Sequence, residues 1–195
     1  MQYTGTQGDG GPGQKKGLDG IAITEHDHLW SKKEIQNLIQ STRSDPLVIL
    51  RGKEIVTSLG HVLLYNYYEE ILRNDSLETL TEKVRNAGRA AVLAHPFRYG
   101  HKLKDSPDKI KRLFSLFDAV EILTPNHSEE EIRKGFQWFK AWGLAAVGSS
   151  DSHDSRSMGA YLTSFPKLIQ TESDLVQAIR DHQCRPIRPI GSEIH

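Results

Sequence analysis

The chain has little sulfur: one cysteine, Cys184, and two methionines among 195 residues. A single thiol excludes an internal disulfide framework and a cysteine-rich zinc module. Charge of either sign is not in excess, since 25 basic side chains meet 25 acidic ones. The basic surface that drives bulk attraction to nucleic acid or anionic membrane is therefore missing. No apolar run approaches the roughly 18 residues of a membrane span, and the N-terminus lacks an apolar signal core. These absences lead to the expectation of a cytoplasmic protein without a membrane partner. What remains is an ordinary globular composition, 37% hydrophobic and 26% charged, at a length that suits one domain with a real core. Histidine is the exception, with nine residues.

Residues 1–16 contain five glycines and one proline and almost nothing apolar. They read as a loop or disordered leader, with one domain over 17–195. From Gly17 the chain alternates β-rich runs with helical segments. Strands are expected at 18–24, 47–50, 60–65, 90–94, 119–123 and 144–147. Helices are expected at 31–42, 76–87, 107–116, 128–142 and 172–181. Ser31 with Glu34 three residues on has the spacing of a capping box. The repeated β-then-α order predicts an α/β domain with a largely parallel sheet.

The chemistry lies in the residues just beyond each strand. The run IAIT leads into Glu25-His26-Asp27-His28, LVIL into Arg51-Gly52-Lys53-Glu54, and His61 opens the next strand. AAVLA leads into His95-Pro96-Phe97-Arg98, and LAAVG into Ser149-Ser150-Asp151-Ser152-His153. In parallel α/β folds the C-terminal strand ends share one rim, where sites are built. Imidazole and carboxylate without thiolate suit zinc, manganese, iron or nickel, and a paired centre supports metal-assisted hydrolysis. Solvated or structurally bonded side chains are the competing reading, and spacing alone leaves both open. For His101, His127, His182 and His195, none of which directly follows an apolar strand, the structural reading is preferred.

The segments GLDGIAITEHDH (17–28), GKEIVTSLGHVLLY (52–65), VLAHPFR (92–98) and GSSDSHDSRSMGAYLT (148–163) resemble, in order, the motifs of the PHP (polymerase and histidinol phosphatase) superfamily. The likeness is to its small stand-alone phosphoesterases and extends through SFPKLIQTESDLVQAIRD (164–181). It implies a distorted (β/α)7 TIM-like barrel with up to three divalent ions, Zn, Mn or Fe, at the rim. By motif, Glu54 is the bridging carboxylate, and His61 and His95 complete the second site with it. His26 and His153 hold the third ion, and Asp151 serves the first. The implied reaction is hydrolysis of a phosphoester by metal-activated hydroxide, with Glu54, Asp151 and His153 as catalytic residues. The implied substrate is a small phosphorylated metabolite or nucleotide, so nucleic acid enters only as a possible substrate. Arg98 and Arg156 are the candidate phosphate clamps, because a guanidinium matches phosphate oxygens in a fork.

The sequence departs from this pattern at its start. The family's opening His-x-His is missing, and Gln2 and Thr4 stand where the two imidazoles are expected. Gly8-Asp9-Gly10 resembles the turn that comes next in the family, which makes Asp9 a candidate ligand of the third ion. Only seven residues separate Asp9 from Gly17, too few for a usual helix of about 11–12 residues. The barrel is thus expected to be incomplete at its first β/α unit, with two or fewer ions well held. An exposed barrel edge invites homo-oligomer formation. The alternative is a degenerate PHP fold acting as a binding module, as in PHP-like RNase P proteins. A hydrolase of C–N bonds with a histidine-rich rim is a third reading.

Overall fold

The computed structural model describes residues 18–42, 47–72, 75–98, 106–153 and 157–188. The leader, Asp9, His101, Arg156 and His195 lie outside the described residues. Six strands form one sheet in the order β1 Gly20–His26, β2 Val48–Thr57, β3 Gly60–Tyr65, β4 Ala90–Leu93, β5 Ala119–Leu123 and β6 Ala146–Gly148. Strand β3 runs antiparallel to both neighbours, and the other pairings are parallel. The sheet curls into a half-barrel. Strands β7 Leu162–Ser164 and β8 Arg185–Ile187 form a separate antiparallel ladder that the sequence reading did not anticipate.

The period of two along each strand sorts side chains between the faces. Ala22, Leu50, Leu63, Tyr65, Val92 and Val147 share the inner face with Leu175, Val176 and Ile179 of helix α5, Glu172–Arg180. Leu175 and Ile179 are almost fully enclosed, each worth roughly 1.5–3 kcal/mol of burial. Val62, Leu64, Ala91, Leu93, Val120 and Ile122 turn outward against α2 Leu77–Asn86, α3 Pro107–Phe114 and α4 Glu129–Trp142. Helix α1, Lys32–Thr42, covers the outer side of β1 through Ile35 and Leu38. Its capping box forms as expected, with Ser31 N donating to Glu34 Oε2 at 2.6 Å and Glu34 N donating to Ser31 Oγ at 3.2 Å.

Strand β2 corrects the sequence reading, for it continues through Arg51–Glu54 to Thr57 instead of ending at Leu50. The buried charges of Arg51 and Glu54 are tolerated there because each has partners. Arg51 is buried and donates to Glu172 Oε1 at 2.9 Å, Trp30 O at 3.2 Å and Tyr68 Oη at 3.0 Å. Strand β7 lies against β6: Thr163 Oγ1 accepts from Gly148 N at 3.0 Å and donates to Gly148 O at 2.7 Å. Leu162 packs in one cluster with Ile21 and Ile23 of β1. The far edge of β1 has no strand partner among the described residues. Among those residues no helix is long and apolar enough to cross a membrane.

Candidate metal centre

The same parity that builds the core delivers the candidate ligands. Thr24 and His26 follow Ala22 on the inner face of β1, Glu54 follows Leu50, and His61 precedes Leu63. Because β3 is antiparallel, His61 at its start reaches the rim where β1 ends and where His95 follows β4. At the middle stands Glu54, 3% exposed. Its Oε1 lies 2.7 Å from His61 Nδ1 and 3.3 Å from His95 Nε2, while its Oε2 faces His26 Nε2 at 3.8 Å. Rings of adjacent histidines meet edge-on, His26–His61 at 5.2 Å and His61–His95 at 4.9 Å between centroids.

His95 also approaches Asp151, Nε2 to Oδ2 4.0 Å. Both sit at strained backbone, with φ of 23° and 42°. Non-glycine residues take such angles where the surroundings over-determine them, typically at functional sites. Burial pushes the Glu54 carboxyl up, but hydrogen bonds with His95 and His61 and the charge of His26 outweigh it and hold it below the ordinary range. Burial pulls His95 down, yet Glu54, Glu121 and Asp151 together raise it. The two shifts have one origin, the mutual stabilisation of the Glu54 carboxylate and the protonated His95 ring.

The structure brings His26, Glu54, His61, His95 and Asp151 together. His153 is exposed on the pocket wall, with Nδ1 3.0 Å from Asp151 O, which leaves Nε2 as its other nitrogen. Arg98 is partly exposed, with Nη1 3.7 Å from Asp151 Oδ2. His127, read as structural, is buried and bonded, Nδ1 to Ile122 O at 3.1 Å. Two residues escaped the sequence reading. Asn126 donates to Asp151 Oδ2 at 2.6 Å. Glu121, wholly buried, accepts from His95 N at 2.8 Å and from Ser149 Oγ. Burial pushes its carboxyl up to about 7, against the opposing charge of His95. The available signal was a lone glutamate within the apolar run AVEIL, where a charge needs buried partners.

A pocket of about 410 Å³ opens beside the centre, lined among others by Thr24, His26, Trp30, Glu54, Asp151 and Met158. Trp30 is fixed there by its indole N–H, which donates to Glu25 Oε2 at 2.8 Å. At the pocket floor Thr24 Oγ1 is buried without a hydrogen-bond partner among the described residues. The donor set fits a divalent ion. Ligand atoms of His26, Glu54 and His61 lie within 4.8 Å of one another, a span that small side-chain shifts bring to the usual bond lengths of about 2.0–2.2 Å. Imidazole and carboxylate donors suit a transition ion.

Comparison with known proteins agrees with this fold. The family described as PHP-associated matches residues 128–184. An uncharacterised protein of Methanocaldococcus jannaschii is 29% identical over 117 residues, covering 60% of this chain and 64% of that one. A two-domain protein from Bacteroides vulgatus containing a predicted PHP-like metal-dependent phosphoesterase superposes with a TM-score of 0.64 at 15% identity, covering 89% of this chain and 57% of that one. An amidohydrolase from Chromobacterium violaceum, with bound sulfate and no metal, superposes with a TM-score of 0.56 at 16% identity, covering 90% and 89%. The chain thus spans less than two thirds of the archaeal and Bacteroides proteins. At these identities the structural likeness establishes the fold, and the PHP-associated match adds a sequence signature over α4 to β6 and α5. Residues 128–184 thus carry a PHP-associated sequence signature, on a fold similar to that of a protein containing a predicted PHP-like metal-dependent phosphoesterase.

Proposed function

We propose that the protein is a metal-dependent phosphoesterase acting on a small phosphorylated metabolite or nucleotide. The observation that carries this reading is the division of labour at Glu54, whose Oε1 serves His61 and His95 while Oε2 faces His26. A carboxylate so divided is suited to bridge two ions. His61 and His95 would hold one of them and His26 the other, with Asp151 and His153 at the edge of the centre. Divalent Zn, Mn or Fe there would polarise a phosphoryl oxygen and neutralise the charge that develops on it. The chain's own residues do the rest. Glu54 and Asp151 keep the imidazoles oriented, Arg98 offers a guanidinium fork beside Asp151, and the pocket is of a size that holds a small ligand. Asp9 and Arg156 belong to the proposal as a further ligand and a further clamp.

A distorted (β/α)7 barrel incomplete at its first β/α unit, a cytoplasmic location and self-association through the edge of β1 that has no strand partner among the described residues are parts of the same proposal. The intact contacts around Glu54 favour catalysis over a degenerate RNA-binding barrel. The test is hydrolysis of phosphomonoesters and phosphodiesters after reconstitution with Mn²⁺, Zn²⁺ or Fe²⁺, with C–N substrates as the control. Activity that Glu54→Ala abolishes supports the reading. A metal-loaded protein inert toward every phosphoester overturns it.

A further inference from the structure

Three of the rim segments that matter most, the ends of β4, β5 and β6, meet on one side chain. Glu121 lies in β5 on the inner face and has 0% exposure. Its Oε2 accepts from His95 N at 2.8 Å, just past β4, and its Oε1 accepts from Ser149 Oγ, just past β6. Ser149 is tied to β5 a second time through its N–H, which donates to Leu123 O at 3.0 Å. The ladder between β5 and β6 slips between Glu121 and Leu123. Such a bulge leaves a backbone group outside the ladder and re-aims the chain. Here Ile122 O receives His127 Nδ1 at 3.1 Å, and His127 Nε2 accepts from Phe97 N at 3.2 Å. Arg98 N donates to His95 O at 3.1 Å, and Pro96 has no N–H. Every backbone donor of the segment His95–Arg98 is therefore accounted for, two of them by side chains from β5 and the turn after it. Asn126 from the same turn holds Asp151 Oδ2 at 2.6 Å.

We propose that the C-terminal end of β5 is the positioning element of the metal centre, with Glu121 setting the separation of His95 from Asp151 through hydrogen bonds to His95 N and Ser149 Oγ. Glu121 is a positioning residue, since it reaches the ligands only through backbone and hydroxyl. A carboxylate enclosed at this depth is costly unless both oxygens are used, and an apolar residue would fill the space without that cost. What an apolar residue cannot do is hold two ligand-bearing turns at positive φ. Outer partners of this kind commonly alter metal affinity about 10–100-fold when removed.

This inference rests on the metal-centre reading, and the test separates the two. Affinity and stoichiometry for Mn²⁺ and Zn²⁺ are measured by calorimetry on wild type, Glu121→Ala, Glu121→Gln and Ser149→Ala, with circular dichroism as the check on folding. Glu121→Ala and Ser149→Ala are expected to weaken binding about 10–100-fold. Glu121→Gln, which keeps an acceptor for His95 N, is expected to recover most of it. Ser149→Ala deletes a single hydroxyl and carries the test if Glu121→Ala does not fold. Folded variants with wild-type affinity, or variants that lose only melting temperature, overturn the proposal and leave the metal centre standing. Wild type that binds no divalent ion overturns both.

Discussion

Glu54 and His61 meet at 2.7 Å as a diagonal pair across the β2–β3 hairpin, for Glu54 lies opposite Leu63 in the register and His61 two residues before it. Such diagonal neighbours are within reach for long side chains. The hairpin thus makes the contact, and the inner-face parity aims both groups at the pocket. Glu54→Ala should reduce divalent-metal affinity by at least about 100-fold, since it removes a ligand and not merely its support. Calorimetry with Mn²⁺ or Zn²⁺ checks this. Unchanged stoichiometry and affinity would remove Glu54 from the centre.

Loading the centre should stabilise the fold, because only the folded chain gathers these ligands. At 100 times the dissociation constant the gain is about 2.7 kcal/mol, or roughly 5–10 °C in Tm for a chain of this size. A thermal melt with and without Zn²⁺, reversed by a chelator, measures it. No shift at saturating metal would contradict a preformed site.

His127 is held neutral by burial, which lowers its pKa, although its bond to Ile122 O acts the other way. The unfolded ring takes up a proton below about 6.5 while the folded ring resists, so the unfolded state binds more protons there. Stability is expected to fall as pH drops below that point, and His127→Gln should flatten part of this acid limb. Urea midpoints of the metal-free protein between pH 5 and 7.5 test it. An identical pH slope in the variant would exclude His127 as a contributor.

Cys184 is half-buried, and burial pushes its thiol up to about 11. Thiolate is the reactive form, so alkylation at pH 8 should be slow in the native protein and fast in denaturant. Equal rates in both would show that the β8 segment opens readily.

Gly148 marks the crossing of β6 and β7. A Cβ there would meet Leu162 O at 2.6 Å and Leu123 O at 3.3 Å, both backbone atoms that cannot swing aside. Gly148→Ala should cost about 1–3 kcal/mol as overpacking does, read from the denaturant midpoint. A neutral outcome would mean that β7 is not held against β6.

The sequence by itself determined the α/β alternation and the capping box at Ser31, and it singled out the polar residues at the rim as candidate ligands. Those features are local: apolar periodicity, capping chemistry and a polar residue after an apolar run act over a few residues. Only the tertiary structure decided that β2 runs on to Thr57, because Arg51 finds its partners in Trp30, Tyr68 and Glu172, up to 121 residues away. It likewise decided that Glu54 divides its oxygens among three imidazoles, and that the β7–β8 ladder packs beside β6. Glu121 stayed illegible for the same reason. A lone acid in AVEIL acquires its meaning only when strands β4 and β6 bring His95 N and Ser149 Oγ to its two oxygens. Long-range pairing supplies the partners that make buried charge tolerable, and no local pattern encodes which partners those are.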